Sequence, residues 1–206
     1  SLAIGLGKPT RVTFSAFYLS QDNMPDYGIP WVPAANTALV AYRDRPAPVD
    51  LANFYGLAAR DFEDVETAVA TLKFEHDFSE RITLTNQFRY GQTDRVSVVT
   101  APRFNDNAAT DIRPDAKVRD SVDSILSNQT NLSLRFATGP VSHTVATGLE
   151  VVRERYRNRP FTVGAGTLGD LYDPDPHRPF TPIAPVISPR AQAEADTVSL
   201  YGFDTL

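Results

Sequence analysis

The sequence predicts an all-β protein, a transmembrane antiparallel β-barrel with short turns at one end and long loops at the other. Three observations predict it. Hairpin strands of period two carry one apolar and one polar face, short and long connections alternate along the chain, and no apolar run approaches the roughly 20 residues of a membrane helix. At 206 residues the chain is long enough for one large β domain, and its 16 prolines and 11 glycines suit turns far better than a helical bundle.

The first hairpin follows the turn "GKPT": Val12, Phe14, Ala16 and Tyr18 share one face, although Phe17 and Leu19 blur the other. From Thr67 to Phe78 the even residues Ala68, Ala70, Leu72, Phe74 and Phe78 are apolar, with His76 the exception, while Thr67, Thr71, Lys73, Glu75 and Asp77 alternate with them. After a turn at Ser79–Arg81, Ile82, Leu84, Asn86, Phe88 and Tyr90 oppose Thr83, Thr85, Gln87 and Arg89. A further hairpin repeats the design. Leu132, Leu134 and Phe136 lead into the turn "TGPVS", and Val145, Thr147, Leu149 and Val151 lead out of it. The last strand, Ala195–Leu206, has no clear phase.

Between these hairpins the sequence predicts long connections at Asn23–Val65, Thr100–Val118 and Asn158–Glu194. Structureless loops of that length are uncommon in compact soluble domains, whose connections have a median of about 4–6 residues. An outer-membrane barrel accounts for them as extracellular loops, and for the short turns as periplasmic ones. Lys73, Glu75, Gln87 and Arg89 are then expected to face the lumen, and Leu72, Phe74, Leu84 and Phe88 the lipid. Phe78 and Phe136 are expected in an aromatic girdle near the turns. The chain begins inside an apolar run and stops within a strand pattern, so residues 1–206 are expected to be one section of a longer barrel.

Composition narrows function. A net charge of −5 without a basic stripe sets nucleic acid aside as a partner, and the absence of cysteine removes disulfides, thiolate nucleophiles and zinc ribbons. "GAGTLG", Gly164–Gly169, matches a dinucleotide fingerprint, but the prolines of "DLYDPDPHRPFTP" forbid the helix that motif requires, so a flexible loop is expected. Asp173, Asp175 and His177 alternate with prolines and read as a rigid extended loop rather than a metal site. No nucleophile elbow or HExxH is present, so neither an enzyme nor any catalytic or metal-ligating residue is assigned. Two sequons, at Asn128 and Asn131, fall within a strand and read as chance. Leu51–Phe62 has helical spacing, so it either forms a short loop helix or begins the next strand. Within the first long loop, Tyr27, Trp31, Tyr42, Arg43 and Arg45 mix aromatic rings with cations and are the candidate contacts for a planar anionic ligand.

The segments "QDNMPDYGIPWVP", "VDLANFYGLAARDFEDVETAVATLKFEHDF", "LTNQFRYGQTDRVSVVTAPR", "NQTNLSLRF" and "LYGFDTL", taken in order, resemble the barrel of TonB-dependent siderophore receptors, specifically the catecholate type. The resemblance implies a barrel of about 22 strands in the outer membrane of a Gram-negative bacterium, of which about seven lie here. It also implies a plug outside this section, through which the TonB–ExbB–ExbD system would drive import of a ferric siderophore. Iron would be held by the siderophore's own oxygens, so no cofactor is expected on the protein. The alternative is a secreted or periplasmic β-sandwich that binds carbohydrate on Trp31 and Tyr55.

Overall fold

The computed structural model describes all residues, Ser1–Leu206. Its strands are β1 (Leu2–Ile4), β2 (Thr10–Asn23), β3 (Trp31–Val32), β4 (Arg45–Pro46), β5 (Phe62–Ser79), β6 (Ile82–Phe104), β7 (Ile112–Thr138), β8 (Val141–Asn158) and β9 (Ala191–Thr205). One antiparallel sheet runs β1-β2-β5-β6-β7-β8-β9, and β3 with β4 forms a separate two-residue ribbon. Sequential strands therefore neighbour one another, which places every short turn at one end and every loop at the other.

Turn chemistry fixes the short end. Gly139 has φ 60° and is followed by Pro140, so a left-handed residue precedes one held near −65°, the order a type II′ hairpin needs. Gly5 and Gly7, with φ 75° and 73°, close the first hairpin in the same left-handed region. Between β5 and β6 a register shift at Asp77/Ser79 absorbs the turn.

The register carries the two faces across the sheet. One row runs Thr13, Lys73, Gln87, Gln129, Glu150, Ser199, each residue directly opposite the next. The neighbouring row on the other face runs Phe14, Leu72, Phe88, Asn128, Val151, Val198. Within β5 the even side chains from Ala68 to Phe74 are exposed, whereas the odd ones from Thr67 to Glu75 are half-buried. Mid-sheet, where no second layer is stacked, that asymmetry is what curvature produces: side chains inside the curve crowd and those outside splay.

The apolar face also holds polar side chains, and they satisfy one another. The Asn86 amide donates to Asn128 Oδ1 at 3.0 Å and to Thr130 Oγ1 at 2.8 Å, and the Asn128 amide donates back to Asn86 Oδ1 at 3.2 Å. Pairing of this kind removes most of the cost of taking an amide out of water. Near the turns, Phe78 and Phe136 are exposed.

Several expectations are corrected. The middle connection is far shorter than Thr100–Val118: β6 and β7 continue with unbroken register to Phe104↔Ile112. Pro102 sits directly opposite Pro114, so the two residues that lack an amide hydrogen fall at one level and read in the sequence as a loop. At 23 and 27 residues these strands far exceed the roughly 9–11 that span a bilayer, so their hairpin projects beyond it. Leu51–Phe62 forms turns rather than a helix, with Phe62 starting β5; the only helical turn is a 3₁₀ segment at Val40–Tyr42. The final strand starts at Ala191, four residues earlier than expected.

The sandwich alternative fails here. A sandwich buries a core between two stacked sheets, yet only 24 of 206 residues are buried and the hydrophobic cluster of Val32, Ala47, Tyr55, Phe104, Ile112 and Leu171 joins the loops to the tip of the β6–β7 hairpin. Tyr55 itself is 1% exposed and offers no stacking surface.

Candidate functional site

The loop end is assembled around one ion pair. Arg60 Nε donates to Asp61 Oδ1 at 2.9 Å, with both side chains nearly sealed from solvent. Asp61 Oδ2 accepts the amides of Leu57 and Thr100, both at 3.1 Å, together with the Thr100 hydroxyl. Arg60 in turn donates to Thr100 Oγ1 at 2.7 Å and to the carbonyls of Pro114 and Gly164 at 3.3 Å. A buried guanidinium needs this many acceptors, and they come from the first loop, from β6, from β7 and from the last loop.

A second guanidinium extends the joint. Arg178 donates to the carbonyls of Tyr55 and Asp175 at 2.9 Å and of Thr167 at 3.2 Å. Burial, reinforced by the nearby Arg60 charge, lowers its pKa from the ordinary guanidinium value. The Tyr55 hydroxyl donates to the Leu171 carbonyl, and burial raises its pKa. Ile112 and Gly169 exchange both backbone hydrogen bonds, at 2.8 and 2.9 Å, so the last loop adds itself to the start of β7.

The "GAGTLG" stretch is therefore packed rather than flexible. A Cβ on Gly164 would stand inside the van der Waals surface of the Thr181 carbonyl, and one on Gly166 would meet Leu57 and Pro114 side chains. Gly164→Ala is expected to cost about 1–3 kcal/mol locally, because backbone has to move. Faster hydrogen exchange at the Thr181 amide, which donates to the Ala165 carbonyl at 3.0 Å, is the readout. Unchanged exchange there would contradict the packing.

The five loop candidates lie at this end but are not gathered into one cluster. Trp31 and Arg45 belong to the β3–β4 ribbon, where Trp31 pairs with Pro46 and Arg45 with the buried Val32. Tyr27, Trp31 and Tyr42 are exposed. Arg43 is committed elsewhere: its Nε donates to the Asn36 carbonyl and helps close the loop through which Asp44, at φ 56°, returns its amide to Val32. No ring contact and no side-chain hydrogen bond joins any two of the five.

The four residues expected in the lumen share one face. Lys73 is opposite Gln87, and its Nζ lies 3.0 Å from Glu75 Oε1; Arg89 is opposite Thr71 and donates to its Oγ1 at 3.2 Å. Next to them Tyr201 reaches across the sheet over Gly148, receives Gln129 Nε2 at 2.6 Å and donates to Asn131. A Cβ at Gly148 would collide with that ring and with the Asn131 amide, which explains the glycine.

Two residues escaped the sequence reading. Arg103 and Arg113 are directly opposite one another near the tip of the β6–β7 hairpin, both exposed, and neither enters an ion pair or a side-chain hydrogen bond. They keep the odd-numbered phase of Gln87 and Gln129, whereas Pro102, Phe104, Ile112 and Pro114 on the other phase are buried. The sequence signal was present as "APRF" and "IRPD", but each arginine adjoins a proline and both fell inside the supposed loop.

Comparison with known proteins agrees with this architecture. The family described as TonB dependent receptor-like, beta-barrel, matches residues 3–206. The chain is 34% identical to the catecholate siderophore receptor Fiu of Escherichia coli K12 over 229 aligned positions, which cover 100% of this chain and 29% of the relative. It is 32% identical to a probable TonB-dependent receptor, BfrD, of Bordetella pertussis, covering 100% of this chain and 30% of that one. The crystal structure of the ferric-catecholate import receptor Fiu in its open form superposes with a TM-score of 0.77 at 30% identity, over 98% of this chain and 32% of the other. The siderophore receptor PiuA from Acinetobacter baumannii, at 23% identity, shares the fold with a TM-score of 0.81 over 98% of this chain and 31% of its own. The chain thus spans under a third of the length of these relatives.

Proposed function

Because this chain belongs to the family of TonB-dependent receptor β-barrels, we propose that the intact protein is an outer-membrane receptor that imports ferric siderophores of the catecholate type. The apolar face meets outer-membrane lipid, and the polar face, with Lys73, Glu75, Gln87 and Arg89, lines a lumen that a plug domain fills. Energy reaches that plug from TonB–ExbB–ExbD. The protein binds and translocates; no bond in the cargo is made or broken, and the cargo's own oxygens hold the iron. What carries the reading is the register, which sorts six strands into alternating polar and apolar rows with no second sheet to cover either.

Within this reading Tyr27, Trp31, Tyr42 and Arg45 offer ligand contacts at the mouth, while Arg43 serves the loop that presents them. The test is uptake of radioactive iron, supplied as its tris-catechol complex, by cells that lack other catecholate receptors and express the intact protein. Accumulation that disappears when TonB is deleted is expected; its absence in TonB-positive cells would dismiss the function. Trp31→Ala with Arg45→Ala is expected to weaken binding of the same complex roughly three- to tenfold, as loss of a stacking anchor and a charge does. Equal affinity would remove these residues from the ligand face.

A further inference from the structure

On the lipid-facing phase of β8 the side chains run Val145, Thr147, Leu149 and Val151, and then Arg153, Arg155 and Arg157. Consecutive arginines on one face do not follow from the composition of a chain whose net charge is −5, and the strands beside them do not share the pattern. In the same hydrogen-bonded rows β5 and β6 supply Ala70 and Tyr90, Ala68 and Gln92, then Glu66 and Asp94. The switch falls where hydrocarbon ends. β8 leaves its turn at Val141, and the roughly 9–11 residues that span a bilayer are used up near Val151. Leu72 is closer in sequence to its turn at Ser79 than Val151 is to Val141, so the row they share climbs from mid-depth on β5 to the edge of the apolar band on β8, as tilted strands require.

Two of these arginines are anchored. Arg153 donates to Asp196 through Nε at 2.7 Å and Nη2 at 3.0 Å, and Arg155 Nε donates to Glu194 at 2.9 Å. Neither anchor exhausts its guanidinium, since Arg155 keeps both terminal nitrogens and Arg153 keeps one. Arg157, opposite Gln192, and Arg190, just before β9, enter no ion pair and no side-chain hydrogen bond. The four arginines line a groove of about 680 Å³ together with the exposed Tyr90 and Leu126, which stand one row above Phe88 and Val151. We propose that this groove holds the headgroup of a phosphorylated glycolipid of the outer leaflet, with its phosphates on the arginines and its acylated sugar on Tyr90 and Leu126. The proposal rests on the functional reading only in taking this face to meet lipid and the loop end to be the outer one.

Chemistry and position select that occupant. Planar guanidinium forks match phosphate oxygens in pairs, and apolar surface beside them favours an amphiphile over free phosphate. The groove is continuous with the rows that meet acyl chains, so a phosphopeptide would have to displace lipid to enter it. From Arg153 to Arg157 the donors extend about 13 Å along the strand. That span suits a disaccharide with a phosphate at each end and exceeds the single phosphate of a glycerophospholipid.

Equilibrium binding of fluorescent diphosphoryl lipid A to the intact receptor in nonionic micelles tests the groove, with phosphatidylglycerol and inorganic phosphate as competitors. R157Q/R190Q is expected to lose about tenfold or more in affinity, as removal of two guanidiniums beside an anionic headgroup does. It should keep the heat-modifiable barrel and its affinity for ferric tris-catechol, because neither residue is paired with another group. Phosphatidylglycerol is expected to compete at least tenfold more weakly than unlabelled lipid A, and inorganic phosphate not at all. Undiminished lipid A binding by a folded R157Q/R190Q would overturn the groove. Competition by phosphatidylglycerol equal to that of lipid A would reduce it to a general anionic surface, and equal competition by phosphate would remove the lipid; either result overturns the proposal. Wild type that takes lipid A but not ferric tris-catechol would support the groove and dismiss the functional reading.

Discussion

Asp61→Ala is expected to release the outer loops from the β6–β7 hairpin while leaving the spanning strands assembled. The carboxylate accepts from Arg60, from the Thr100 hydroxyl and from two backbone amides, and it is 3% exposed. Its removal strands the Arg60 guanidinium, itself 7% exposed, among carbonyls with no counter-charge. Breaking a buried pair from one side costs about 3–5 kcal/mol. The strands, by contrast, are held by inter-strand hydrogen bonds that do not pass through Asp61. Limited proteolysis of the reconstituted intact protein should therefore show cleavage within 24–61 and 159–190 at protease levels that spare the wild type, with heat-modifiable migration retained. A double change to apolar residues, R60M/D61L, should be less sensitive than Asp61→Ala, because it buries no lone charge. Loops that resist protease equally in all three proteins would refute the role given to this pair.

How legible the molecule is from its sequence follows from what imposes the pattern. Where hydrocarbon lies on one side and water on the other, each strand has to alternate, so β5, the lower half of β6 and β8 could be read residue by residue, Lys73 against Leu72 and Arg89 against Phe88. Above the bilayer that constraint ends. Ser97 to Pro102 are all buried, odd and even alike, because the loops fold around the hairpin there, and the two-residue period vanishes together with the reason for it. Proline completes the disguise: Pro102 and Pro114 look like breakers until their pairing shows that they occupy one level.

The candidate site divides along the same line. Exposed rings such as Trp31 and Tyr42 are recognisable because aromatic residues in a polar loop stand out. Arg43 and Arg45 look alike in the sequence, yet one is bound to the Asn36 carbonyl and the other lies on the ribbon. Nor does local sequence reveal that Arg60 meets Gly164 or that Arg178 meets Tyr55, contacts that bridge 104 and 123 positions. Arg103 and Arg113 become a pair only through the register.

Leu72→Arg and Lys73→Gln change adjacent residues and are expected to have opposite consequences. Leu72 is 47% exposed and sits in the row between Phe14 and Phe88, themselves 47% and 43% exposed, at a level where neighbouring strands add Val151 and Val198. In a bilayer all of that surface contacts acyl chains, and an arginine at mid-depth costs about 2–4 kcal/mol. The nearest side-chain amide on that face, Asn86, opposite Phe74 on the adjacent strand, already exchanges hydrogen bonds with Asn128 and has no carboxylate to offer. Lys73, one residue on, is half-buried on the polar face with Glu75 and Gln87 beside it, so glutamine loses one partly exposed ion pair worth under about 1 kcal/mol and keeps an amide able to pair with Gln87. Folding the intact protein into vesicles and counting the heat-modifiable fraction should thus show a substantial loss for Leu72→Arg and none for Lys73→Gln. Reversed or equal yields would mean that the polar row faces lipid, and the barrel reading would fail at its foundation.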